Sequence, residues 1–79
     1  MTRTADLLAS AKTVHDRYSA GRIERETVRE WATRLGAYPE PLGSRVKAAG
    51  DWFRANPKDD VDELTKRQDI AVLAAIFAA

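Results

Sequence analysis

The chain has 79 residues, no cysteine and a formal net charge of +1, from 13 basic and 12 acidic residues interspersed along its length. That length accommodates one domain with a modest core. The absence of cysteine excludes disulfides, thiolate metal sites and cysteine nucleophiles, and the charge balance excludes the strong one-sign field that draws in nucleic acid or a membrane surface.

No run alternates apolar and polar residues as a half-buried strand would, whereas four segments carry helical spacing. The first spans about 4–20. Leu7, Ala11, Val14 and Tyr18 recur at steps of four, three and four, and Gly21 follows as a natural stop. The N-terminal residues lack the long apolar stretch of a signal peptide, and Asp6 interrupts them, so the chain is expected to be soluble and cytoplasmic. The second segment spans about 24–35. Val28, Trp31, Ala32 and Leu35 repeat at i, i+3, i+4 and i+7, acidic residues crowd the first turn, and Gly36 reads as the stop. The short connection at Gly21 predicts an antiparallel hairpin of the first two helices.

Pro39 and Pro41 then forbid ordinary helix before Pro39, and Pro41 suits the first position of a third helix over about 41–55. Leu42, Val46, Ala49 and Phe53 line one face of it. Gly50 beside them leaves room for close approach of another helix, and Asn56-Pro57 ends the segment. The fourth helix is expected over about 60–78. Asp60 with Glu63 resembles a capping box, and Val61, Leu64, Gln68, Val72 and Ala75 form a stripe. From Ile70 to Ala79 no side chain is polar. Such a segment is apolar on every face, which predicts burial on every face, and it is too short to span a bilayer. The fold class expected is therefore all-α, a compact bundle of four short helices in a single domain.

Candidate chemistry is sparse. His15 is the only histidine. Neighbouring residues on a helix point about 100° apart, so Asp16 is not expected to position it as a general base. Asp59, Asp60, Asp62 and Glu63 lack the glycine turn of a calcium loop and are expected to serve helix capping. Ser10, Ser19 and Ser44 have no nucleophile-elbow context. No catalytic residue, metal ligand or cofactor is expected.

The stretch from Thr27 to Gly50 resembles a helix-turn-helix. Ala32 stands where that motif has a small residue, Leu35 precedes the turn glycine Gly36, and Leu42 stands where the second helix meets the first. The resemblance implies a reading helix with Arg45, Lys47 and Arg54 as DNA contacts. The near-zero net charge opposes this, because sequence-independent affinity comes from basic residues. The leading expectation is a non-catalytic protein-interaction or assembly module. Its partner would be a protein, a second copy of the chain included. Nine arginines against four lysines point to a phage or bacterial accessory protein. The expected contact residues are Trp52, Ile76 and Phe77, with Arg22, Arg25 and Arg29 on the solvent face of the second helix.

Overall fold

A computed structural model describes residues 3–78. Helix α1 spans Arg3–Ser19, α2 Arg25–Thr33, α3 Leu42–Ala55 and α4 Glu63–Phe77, with no strand among the described residues. The radius of gyration, 11.7 Å, matches the roughly 12 Å of a compact chain of this length.

The apolar stripes of the first three helices go where their spacing directs them. Leu7, Ala11 and Tyr18 of α1 are buried, as are Val28 and Ala32 of α2 and Leu42, Val46, Ala49 and Phe53 of α3. Their partners are less regular. Helix α4 packs against α1 and α3, and α2 packs on α3. The contact between α1 and α2 is sparse, so the predicted hairpin is not a packed pair. Gly21, at φ +72°, turns the chain as glycine can. The stripe of α2 is then drawn to α3, where the Ala32 carbonyl oxygen lies 3.5 Å from the place a Cβ on buried Gly50 would occupy, an ordinary contact, so the close approach expected at Gly50 does not depend on glycine. Gly36 does not stop α2. That helix ends at Thr33, with the Arg34 N–H donating to the Trp31 carbonyl and the Leu35 N–H to the Ala32 carbonyl. Glycine is required instead at Gly43, where a Cβ would sit 2.2 Å from the Tyr38 carbonyl oxygen.

Helix α4 departs most from expectation. It begins at Glu63, and Asp62 caps it by accepting from the Thr65 amide at 2.8 Å. Asp60 makes no such bond, so the expected capping box at Asp60 and Glu63 does not form, and a one-way cap two residues later takes its place. The buried positions are Asp69, Leu73 and Ile76. The stripe of Leu64, Gln68 and Ala75 faces outward, with Val61 and Val72 half-buried. The terminal segment is therefore not buried on every face. Two flanking helices cover the side of α4 that faces them, and Ala71 and Ala75 are exposed on the other. Alanine leaves little apolar area there to be penalised.

Two apolar clusters stack along the bundle. One gathers Leu7, Ala11, Leu42, Val46, Ala49 and Ile76, and the other gathers Tyr18, Val28, Ala32, Phe53 and Leu73. The second ends in a polar hub.

Candidate functional site

The hub is the Asp69 carboxylate on α4, which is fully buried. It receives donors from each of the other three helices. The Tyr18 hydroxyl of α1 donates at 2.8 Å. From α2, Arg25 donates through Nε at 2.8 Å and Nη2 at 3.0 Å, one to each carboxylate oxygen. The Trp52 indole of α3 donates at 2.7 Å. Arg25 uses its remaining nitrogen, Nη1, on the Asn56 carbonyl at 2.7 Å and on the Lys58 carbonyl. It thereby closes the C-terminal end of α3, whose last carbonyls lack helical partners. Its guanidinium also lies over the Phe53 ring, 5.1 Å from the centroid.

A buried ion pair is tolerable only when its other hydrogen-bonding positions are filled. Here they are: no buried side-chain nitrogen or oxygen among the described residues lacks a partner. The Arg25 guanidinium is held above its ordinary range by the hydrogen bonds it donates to Asp69. Burial, and then the bond to Asp69, pushes the Tyr18 phenol well above its ordinary value of 10.0.

This hub corrects one expectation and reshapes another. Arg25 is not on the solvent face of α2. It lies one turn before Val28 on the apolar stripe and is only 4% exposed. Trp52 is half-buried, and its indole N–H is turned inward to Asp69 rather than outward. Of the other two arginines, Arg22 is exposed. Arg29 makes a two-pronged ion pair with Asp59, at 2.9 and 3.2 Å, which fastens α2 to the α3–α4 connection. That contact holds the Asp59 carboxyl below the usual carboxylate range.

Ile76 is fully buried and presents nothing to a partner. It points to the core because it stands seven residues after Asp69 on the inward face. Phe77 is half-buried under α1, edge-on to His15 at 5.1 Å between ring centroids and beneath Lys12. Asp16 does contact His15, although neighbouring residues on a helix diverge. His15 Nδ1 lies 2.9 Å from the Asp16 carboxylate. Asp16 also has Lys12 at 3.6 Å. The pair is an open surface contact.

The three basic residues of the helix-turn-helix reading each have an internal partner. Arg45 donates to the Ala78 carbonyl at 2.9 Å. Lys47 pairs with Asp51 at 3.2 Å. Arg54 binds Asp51 and the Thr33 carbonyl.

What remains on the surface is an apolar patch beside the hub. Leu64 is 74% exposed and is the exposed large apolar side chain among the described residues. It shares a groove of about 510 Å³ with Trp52, Thr65, Arg67 and Gln68. Val61, Pro57 and Ala55 line an adjoining hollow. The sequence did carry a signal for the hub: Arg25 stands in register with Val28 and Ala32, and Asp69 with Leu73 and Ile76. Opposite charges thus interrupt two apolar stripes.

Comparison with family models, with curated proteins and with solved structures finds no match.

Proposed function

We propose that the chain is a non-catalytic protein-interaction module whose contact surface is the Trp52–Leu64 patch. The observation that carries this reading is the pairing of a fixed aromatic ring with an exposed aliphatic side chain. The buried bond from Trp52 to Asp69 holds the indole in one orientation, so little rotamer freedom remains to be lost on binding. Tryptophan in that state suits an interface anchor, and Leu64 extends the apolar centre around it.

Two observations favour this reading over DNA recognition. Residues 34–41 separate α2 from α3, about twice the three to four residues of a helix-turn-helix connection. Lys47 and Arg54 both pair with Asp51, which leaves Arg45 as the one cation of the three without an ionic partner among the described residues.

The test is recovery of a cross-linked partner from the source cells with three proteins: wild type, Leu64→Arg and Arg17→Gln. Leu64 and Arg17 are both exposed, so neither substitution disturbs the core. The expected result is a partner retained by wild type and by Arg17→Gln and lost with Leu64→Arg. A partner retained by all three would place the contact elsewhere and overturn the reading.

A further inference from the structure

We propose that the partner seated on this surface is a second copy of the chain, docked through the outward face of α4 in an antiparallel, two-fold arrangement; the proposal rests on the interaction reading above. The outward face is built from Leu64, Gln68, Ala71 and Ala75, all exposed. Their spacing is symmetric about its midpoint, four, three and four. When two such faces meet antiparallel, Leu64 of each copy opposes Ala75 of the other, and Gln68 opposes Ala71. A large side chain therefore meets a small one at both ends, as interdigitating helices require. This is the self-complementarity of an isologous contact.

Charge selects the direction. At the start of α4, Asp60 and Glu63 are exposed and have no ionic partner among the described residues, one turn ahead of Lys66, which lies over the Tyr18 ring, and the exposed Arg67. At its far end stands Arg45 of α3, bonded only to the uncharged Ala78 carbonyl and so without an ionic partner among the described residues; Lys12, over the Phe77 ring, is already paired with Asp16. Antiparallel docking brings the acidic start of one helix to the basic end of the other, twice. Parallel docking would set acid against acid. No titratable group on the inward side of α4 changes its surroundings, because Asp69 stays sealed behind Trp52.

The test exploits the cysteine-free sequence. Leu64→Cys and Ala75→Cys are prepared separately and oxidised, alone and mixed. In the proposed arrangement the two Leu64 positions are eleven residues out of register, about 16 Å along the helix, too far for a disulfide, which needs Cα atoms within about 7 Å. The expected result is a covalent dimer from the mixture and little from either variant alone. Light scattering from about 1 μM to about 1 mM should show wild type passing from monomer to dimer. Leu64→Arg should remain monomeric, with an unchanged circular dichroism spectrum. Cross-linking of Leu64→Cys to itself, or wild type that is monomeric throughout, would overturn the proposal. In the monomeric case, loss of a different cellular partner with Leu64→Arg would leave the interaction reading standing, so the two failures are distinct.

Discussion

At the residue scale, one carboxylate decides how the helices are matched. Asp69 accepts from Tyr18, Arg25 and Trp52, one residue from each remaining helix. Removing it leaves the Arg25 guanidinium buried without its counter-charge, which costs about 3–5 kcal/mol. A bundle of this size holds only about 5 kcal/mol in total. Asp69→Ala is therefore expected to be unfolded or nearly so in urea titrations. Arg25→Met combined with Asp69→Leu should recover part of the loss, because no unpaired charge remains, but not all of it, since the Tyr18 hydroxyl and Trp52 N–H lose their acceptor. Tyr18 makes the hub sensitive to alkali. The fold holds the neutral phenol, so its stabilising effect is complete below pH 10, the ordinary value of the group, and is lost as pH rises above it. Melting temperatures of wild type should fall more steeply above pH 10 than those of Tyr18→Phe, whose stability at neutral pH is lower by about 1.5–3 kcal/mol. Parallel curves would refute this role.

At the element scale, the start of α4 is set by Asp62. Its carboxylate accepts from the Thr65 amide, and that contact holds its pKa below the ordinary 3.8. A group depressed in the folded state stabilises above its unfolded value, and this is lost as pH falls through the folded one. Asp62→Ala should lower the melting temperature at pH 7, whereas Asp60→Ala should leave it unchanged. Asp62→Asn should retain the cap while losing its sensitivity to acid. The inward face of α4 matters more than its outward one. Leu73 and Ile76 are fully buried, and each contributes about 1.5–3 kcal/mol. Deleting residues 70–79 is expected to abolish the cooperative melt. Gly43→Ala should be disruptive as well, since its methyl group would occupy the space of the Tyr38 carbonyl, while Gly50→Ala meets backbone only at ordinary contact distance.

At the scale of the whole molecule, 72% of the described residues are helical, well above the usual third. Far-UV circular dichroism should report strong double minima at that level, and a strand-dominated spectrum would refute the fold. The evenly balanced charges leave little to attract a duplex, and Lys47 and Arg54 of α3 are both paired with Asp51. A mobility-shift assay in about 50 mM salt is expected to show no retardation at micromolar protein, where DNA-reading domains keep nonspecific affinity. Retardation that vanished with Arg45→Ala and Lys47→Ala together would restore the helix-turn-helix reading.

The amino-acid sequence by itself determined the number of helices, their places within a few residues and the buried stripes of α1, α2 and α3. Apolar residues repeating at the helical period, with glycine and proline between the runs, act locally and leave no strand to compete. Which helices touch was decided in three dimensions. Short turns do not force neighbours in the chain to pack, and α1 found α4 instead of α2. The orientation of α4 was also decided there. Around Ile70–Ala79 nearly every side chain is apolar, so periodicity has no contrast and cannot choose a face. The choice came from Asp69, whose charge had to meet Arg25, Tyr18 and Trp52. That requirement turned Leu73 and Ile76 inward and left Leu64, Ala71 and Ala75 facing out. The candidate contact surface was legible only in part for the same reason: Trp52 stood out as an aromatic beside a stripe, but Leu64 reads as a core residue until a buried charge rotates its helix.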